Sequence, residues 1–407
     1  MKALMCHDFY QYQGGEDIVF ADECWLLEEY GHQVVRYEKN NAQISSMNKL
    51  DLVRKTFWNA ETYREVRDAI QAESPDVVHC ANSFPLISPS LYRAVKDEGV
   101  PMVQTLHNFR LTCPGSTLMR DGRICEDCLG KRLALSGIRH RCYQGSFTAT
   151  SISALMHAFH QLRGTWNDLV DQYIVLTEHS KSIFTEVGLP VDRMSVKPNF
   201  VRQDPGYVAH HDKQDYAVFV GRLSEEKGVR VMLDAWRTLS EKIPLVIVGE
   251  GPLADIVAAA TEKDSRIRWV GQQSREATMR WIAAAKFLVF PSIWYETFGR
   301  SMIEAKACGT PVIASNIGAM SLLVTHLQTG LHYEPGNVAD LIRQTNFLLD
   351  DDQLRSQLAK AGREQFENEF TPLKNIQMLL SVYRKAGAKI PLADFSSEFP
   401  ATAETPV

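Results

Sequence analysis

Short apolar runs alternate with amphipathic stretches along most of the chain. KALMCHDF reads as a strand, EDIVFADECWLLEEYG as a helix and HQVVRYE as the next strand. ETYREVRDAIQAESP then reads as a helix, DVVHCAN as a strand, PSLYRAVKDEG as a helix and PMVQTLHN as a strand. The alternation lapses over residues 110–150 and resumes with DQYIVLTEHSKSIFTEVGLP and MSVKPNF. A polar stretch, RQDPGYVAHHDKQD at 202–215, predicts a linker. A second set follows: YAVFVGRL, a helix over 228–241, PLVIVGEGP, a helix over 253–263, IRWVGQ, a helix over 274–284, KFLVFPS, a helix over 300–308, and PVIASN. Strands alternating with helices of this length predict βαβ units on parallel sheets.

The expected fold class is therefore α/β, with two Rossmann-like parallel-sheet domains, residues 1–200 and 201–371, facing each other across a cleft. A last helix, 372–387, is expected to pack back on the first domain, and the tail 388–407, with little to bury, to be disordered.

Bulk properties narrow the picture. At 407 residues the chain exceeds one ordinary core, and 45% hydrophobic with 23% charged residues fits a globular protein. A net charge of −5 argues against nucleic acid as a partner of the whole chain. No apolar run approaches a membrane span, and the N-terminal ALMC reads as a buried strand, not a signal peptide. The expected location is cytoplasmic, at most at the inner face of the cell membrane.

The candidate chemistry sits in loops after strands of the second set. VGRLSEEKG places Arg222 and Lys227 in a strand-to-helix turn bounded by Gly221 and Gly228, where both cations can neutralise a diphosphate. VIVGEGPLA carries Gly249, Gly251 and Ala254 in a dinucleotide-binding pattern. The next strand, IRWVGQ, lacks the terminal acidic residue that would hold the ribose of NAD, which sets that reading aside. In YETFGRSMIEA, Gly299 allows close backbone approach and the helix from Arg300 offers amides to a phosphate. Helix-end charge effects are only about 0.3–1 kcal/mol, so Arg222 and Lys227 carry more of the neutralisation. Glu304 is placed to reach a ribose diol on that phosphate, and Glu296 to accept hydrogen bonds from a transferred sugar.

GRLSEEKG, VIVGEGP and YETFGRSMIEAKACGTPVIAS, in this order, resemble the C-terminal half of the retaining glycosyltransferases of the GT-B fold, group 1 (family 4), including its E-x7-E motif. HDFYQYQGGED resembles the family's first glycine-rich loop, VHCANSFP and TLHNFR its later loops, and SVKPNFV its PNGVD segment with Phe200 in place of glycine. The resemblance covers residues 1–385 outside the insertion at 110–150. It implies transfer of a sugar from a UDP- or GDP-sugar, with retention, to a glycan or polyprenyl-diphosphate-linked acceptor in bacterial surface-polysaccharide synthesis. By that analogy Arg222 and Lys227 stabilise the leaving diphosphate, Glu304 binds the ribose, and Glu296 with Phe298, Gly299, Arg300 and Ser301 contacts sugar and phosphate. His107 would face the donor sugar, Gly14 and Gly15 would let the first loop approach, Gly221 and Gly249 would border the donor, and Gln272 would lie near the base. No catalytic metal is implied; the DDD at 350–352 reads as a helix cap. A sugar-nucleotide 2-epimerase of the same fold and a non-catalytic nucleotide-sugar-binding protein are the alternatives.

The insertion stands apart. Cys113, Cys125, Cys128 and Cys142 are spaced C-x11-C-x2-C-x13-C, which in a reducing compartment argues for structural zinc, with an iron–sulfur cluster or free thiols as alternatives and His140 as a substitute ligand. Cys6, Cys24, Cys80 and Cys308 read as core thiols. Arg120, Arg123, Lys131, Arg132, Arg139 and Arg141 against Asp121, Glu126 and Asp127 leave a net +3 on the insertion, suited to anionic lipid or a lipid-diphosphate acceptor, or to water alone. The apolar sequel SFTATSISALMHAFHQLRGTW is expected to pack on the domain or to graze a membrane surface.

Overall fold

The computed structural model describes residues 1–11, 14–239 and 243–390. Its first half runs β1 (Lys2–Phe9), α1 (Gly15–Glu29), β2 (Gln33–Asn40), α2 (Lys49–Phe57), α3 (Ala60–Glu73), β3 (Val77–Asn82), α4 (Ser90–Asp97) and β4 (Met102–Leu106). It continues with β5 (Met119–Arg120), β6 (Arg123–Ile124), α5 (Leu135–Arg139), α6 (Phe147–Leu162), α7 (Thr165–Asp168), β7 (Gln172–Val175), α8 (Glu178–Glu186) and β8 (Met194–Val196). The second half runs β9 (Gln214–Val220), α9 (Val229–Thr238), β10 (Leu245–Val248), α10 (Ala254–Lys263), β11 (Ile267–Trp269), α11 (Arg275–Ala284) and β12 (Ala285–Phe290). It ends with α12 (Arg300–Ala307), β13 (Val312–Ser315), α13 (Met320–Leu323), β14 (Leu331–Tyr333), α14 (Val338–Asp350), α15 (Asp352–Glu369) and α16 (Pro372–Lys385).

The strands read as apolar runs because both faces are covered. Every residue of VVHCAN in β3, LVIV in β10 and VIAS in β13 is buried. They build two six-stranded sheets, ordered β2-β1-β3-β4-β7-β8 and β11-β10-β9-β12-β13-β14, in which every pairing is parallel. The strand order of each sheet reverses beside its first strand, between β1 and β3 and between β9 and β12. At such a reversal the two outgoing loops diverge and leave a crevice at the carboxyl ends of the strands. The loops after β9 and β12 are 221–228 and 291–299, which contain Arg222, Lys227, Glu296 and Gly299.

Helix ends follow local chemistry. Asp17 reaches back to the Gly14 amide at 2.8 Å to start α1, and Asn59 accepts the Glu61 and Thr62 amides to start α3. Thr371 and Pro372 open α16, whose Ile376, Leu379 and Leu380 bury against Phe20, Leu27 and Val103 of the first half. Of the aspartates at 350–352, Asp351 caps α15 by accepting the Leu354 amide at 2.8 Å.

The structure also departs from the sequence reading. Helices α2, α14 and α15 occupy stretches to which no element was assigned, and β9 begins at Gln214, inside the expected linker. Helix α9 ends at Thr238, short of the expected 241; residues 240–242 lie outside the described residues. The insertion carries a two-stranded β5–β6 hairpin and α5. The expected disorder from 388 is corrected at its start, because Ala388 and Ile390 are buried against the first core; 391–407 lie outside the described residues.

Candidate active site

The loop after β12 makes the centre of the site. Its last residue, Gly299, has φ +133° and caps α12; a Cβ there would meet Met302 Cε at 2.4 Å, so only glycine fits this turn. In the first turn of α12 the Met302 amide donates to the Gly299 carbonyl at 3.1 Å, while the amides of Arg300 and Ser301 have no helical carbonyl behind them and point out of the N-terminus. Phe298 is not at the surface but buried in the core against Phe370, so it can serve only through its backbone. Ser301 is buried, its hydroxyl 3.4 Å from the Val220 carbonyl at the end of β9.

Glu296 is buried and sits within hydrogen-bond reach of two partners. Lys227 Nζ donates to its Oε1 at 2.6 Å and the Ser292 hydroxyl to the same oxygen at 2.7 Å. Lys227 also lies 5.4 Å from the centre of the Trp294 ring. The loops after β9 and β12 are thus joined by a charge-assisted bond at the switch point. Arg222 is exposed, and among the described residues it makes no ion pair or side-chain hydrogen bond. Gly221 has room for a methyl group, whereas Gly249, at φ +139°, would bring a Cβ within 2.0 Å of the Gly221 carbonyl. Glycine at 249 is required by packing of the β9 and β10 loops, which accounts for it without a dinucleotide. Gln272 is exposed beyond the carboxyl end of β11, at the edge of the sheet and apart from the Glu296 cluster.

Glu304, one turn into α12, is 3.6 Å from Arg300. Arg300 in turn reaches Asp22 of α1 at 3.1 Å, and Arg275 of α11 reaches the same Asp22 oxygen at 2.5 Å. Asp22 is almost fully buried, so one carboxylate of the first half holds two arginines of the second. Thr297 adds a second link, donating its hydroxyl to the His107 carbonyl at 2.7 Å. The two halves therefore meet at the site itself. Asp22, Arg275, Ser292 and Thr297 were missed in the sequence. Ser292, directly after the apolar strand, had a positional signal; Asp22, inside an ordinary amphipathic helix, had none.

On the first-half side His107 follows β4 and is buried, and among the described residues its Nε2 has no partner. Burial lowers its pKa, so it is neutral at neutral pH. It borders a pocket of about 560 Å³ walled by Asn82, Phe84, Arg110, His157 and Trp166. Among the described residues neither ring nitrogen of His157 has a partner, and Arg110 lies over the rings of Phe84 at 4.3 Å and Tyr143 at 5.2 Å. The first loop is held by Glu16, which accepts from Tyr10 at 2.6 Å and from Asn108 at 2.8 Å. Gly14 is extended and Gly15 faces open space, so neither is forced by the chain's own packing.

The four insertion cysteines border one small cavity with Arg120 and Gly137. Burial, with Cys113, Cys128 and Cys125 nearby, pushes the Cys142 thiol up to about 11. Among the described residues no group of three or more His, Cys, Asp or Glu side chains is preformed to hold a metal ion, and His140 is exposed and does not border the cavity. Cys6, Cys24, Cys80 and Cys308 are buried.

Comparison with known proteins adds an independent line. Residues 202–365 match the family described as Glycosyl transferases group 1, and residues 33–199 match the Glycosyl transferase 4-like domain. An uncharacterized glycosyltransferase of Methanocaldococcus jannaschii, MJ1178, is 24% identical over 95% of this chain and 98% of its own length. A D-inositol 3-phosphate glycosyltransferase of Jonesia denitrificans is 32% identical over 42% of this chain and 43% of its own length, so the chain matches less than half of that relative. The crystal structure of Anabaena Alr3699/HepE in complex with UDP superposes with a TM-score of 0.65 at 16% identity, covering 94% of this chain and 100% of that one.

Proposed function

The chain belongs to the group 1 glycosyl transferases and has their GT-B fold, and from that premise we propose that it transfers a sugar from a UDP- or GDP-sugar, with retention and without a catalytic metal. The observation that carries this reading is the meeting of Lys227, Glu296 and the glycine-capped start of α12 at the strand-order reversal between β9 and β12.

In this reading the α12 amides and Lys227, with Arg222 at the rim, hold the diphosphate and stabilise the charge that develops as it leaves. Lys227 holds the Glu296 carboxyl group aimed at the sugar hydroxyls. Glu304 exchanges its contact with Arg300 for the ribose diol. Neutral His107 offers its free Nε2 to the sugar from the opposite wall, and the acceptor enters from the pocket beside it. That HepE was crystallised with UDP supports a uridine nucleotide as the donor's carrier. The acceptor is read as a glycan or a polyprenyl-diphosphate-linked glycan of a bacterial surface polysaccharide.

The test is incubation with a panel of UDP- and GDP-sugars in chelator, with and without glycan and polyprenyl-diphosphate acceptors, reading released nucleoside diphosphate and the anomeric configuration of the product by NMR. Acceptor-dependent release with retention supports the reading. Release of free 2-epimerised sugar without acceptor would make the chain an epimerase, and binding without turnover would make it a non-catalytic protein.

The cysteine cluster we read as a structural zinc site held by Cys113, Cys125, Cys128 and Cys142, which border one cavity. Zinc bound there would tie the hairpin to α5. Metal analysis of the purified chain is expected to find one zinc per chain, absent from a Cys125→Ser/Cys128→Ser variant; a metal-free native chain would contradict it.

A further inference from the structure

Helix α6 presents an apolar face to solvent. Phe147, Leu155, Phe159 and Leu162 are 58%, 49%, 45% and 71% exposed, and their spacing puts them on one stripe. Ser151 and Ala158 complete that stripe, and no Asp, Glu, Lys or Arg occurs anywhere in the helix. The opposite side of α6 is occupied: Ala154 packs against Ala134, which precedes α5, and Ile138 within it, His160 is bonded to the Phe57 carbonyl of α2, and His157 borders the pocket beside His107. Leu135 on α5 and Leu50 on α2, 66% and 81% exposed, extend the apolar surface to both flanks. A helix with spare apolar residues could have turned them inward; here the inward side is already filled. An exposed apolar stripe continued by its neighbours marks an interaction surface.

Charge at its border indicates the occupant. The acidic residues of the neighbouring insertion are engaged elsewhere. Asp127 and Asp121 pair with Arg120, at 2.7 and 3.8 Å, and Glu126 lies beside Tyr295. Lys131, Arg132, Arg139 and Arg141 are exposed, and among the described residues none of them forms an ion pair. Arg163, at the end of α6, lies over the Phe159 ring at 5.6 Å with its stem along the stripe. On a chain of net charge −5 these are, among the described residues, cations without ion pairs on the segment leading into the apolar stripe and at its end. That pairing matches a lipid surface with anionic headgroups, the cations at headgroup level and the stripe below them. Among the described residues no helix is long and apolar enough to cross a membrane, so the contact is one of lying on the surface.

We infer that α6 and its basic flank dock this chain on an anionic lipid bilayer, which brings the mouth of the pocket beside His107 to the membrane surface. A water-insoluble acceptor would then reach the pocket along the surface without leaving it.

Flotation of the full chain with phosphatidylcholine vesicles containing roughly one-third phosphatidylglycerol is the test. The native chain is expected to float with these vesicles, to leave them as salt rises, and to bind pure phosphatidylcholine about tenfold less. Leu155→Ser/Phe159→Ser/Leu162→Ser is expected to lose binding about tenfold or more, with unfolding temperature and nucleotide binding unchanged. Lys131→Gln/Arg132→Gln/Arg139→Gln/Arg141→Gln, made at exposed positions, is expected to lose the preference for anionic vesicles. A native chain that floats with neither vesicle overturns the inference, as does an apolar triple variant that floats like the native chain. Dimers in light scattering that the triple variant splits, without flotation, would assign the face to a second copy instead. Nucleotide binding is read separately, so failure here is distinct from failure of the transferase reading.

Discussion

Lys227 Nζ lies 2.6 Å from Glu296 Oε1, and this one contact ties the loop after β9 to the loop after β12. Glu296 is almost fully buried while Lys227 keeps a quarter of its side chain in solvent. Removing the lysine leaves a buried carboxylate whose one remaining side-chain partner among the described residues is Ser292. Lys227→Met is therefore expected to cost about 1–3 kcal/mol of stability and to lower kcat about 100-fold or more, since it also removes charge stabilisation of the leaving group. Glu296→Gln keeps the shape and is expected to spare stability while lowering kcat. Thermal unfolding with steady-state kinetics checks both; a Lys227→Met enzyme with native kcat would remove Lys227 from the chemistry.

Asp22 holds Arg275 and Arg300 from across the cleft, so it is the main ionic link between the halves at the site. Asp22→Asn is expected to open the cleft and to cost about 1–3 kcal/mol, because Arg275 and Arg300 lose the buried carboxylate they share. X-ray scattering should record a larger radius of gyration for the variant. An unchanged radius would mean that the Thr297 contact and α16 alone hold the halves together.

Acid should unfold the first half through its buried histidines. Burial holds His79 down to about 4 and His157 to about 3, and also lowers His107. Each is depressed below its unfolded value of 6.5, so the unfolded chain binds more protons below that pH. Their contribution is full above pH 6.5 and is lost as pH falls from there toward 4, each histidine adding up to about 1.4 kcal/mol per pH unit. Unfolding temperatures measured from pH 7 to pH 4 should fall steeply, and His157→Phe should flatten the slope by one proton. A flat native profile would show that these histidines titrate normally.

Much of this was legible in the chain. The strands of the second half are unbroken apolar runs because both sheet faces are covered, and the residues that follow them, Arg222, Lys227, Glu296 and Gly299, fall at the crevice by topology. Short-range pattern failed where long-range pairing decides. Helix α2 is short, and α14 and α15 follow the last strand where no alternation marks them. The buried Glu23–Lys197 pair at 2.8 Å, with Asn375 of α16 on the same lysine at 2.9 Å, joins three distant segments. No local signal distinguishes Asp22 from any helical aspartate. Gln272 was placed by analogy, and the structure leaves it exposed beyond β11.

The central claim is that the second-half site binds a nucleoside diphosphate through the start of α12 and Glu304. Titration calorimetry with UDP, GDP, ADP and NAD in the presence of chelator, on the native chain and on Glu304→Ala, tests it most directly. The account predicts binding of one nucleoside diphosphate by the native chain in chelator and a loss of about tenfold in Glu304→Ala, the worth of a hydrogen bond to a charged group. Binding of NAD alone, or a nucleoside diphosphate affinity unchanged by Glu304→Ala, would contradict it.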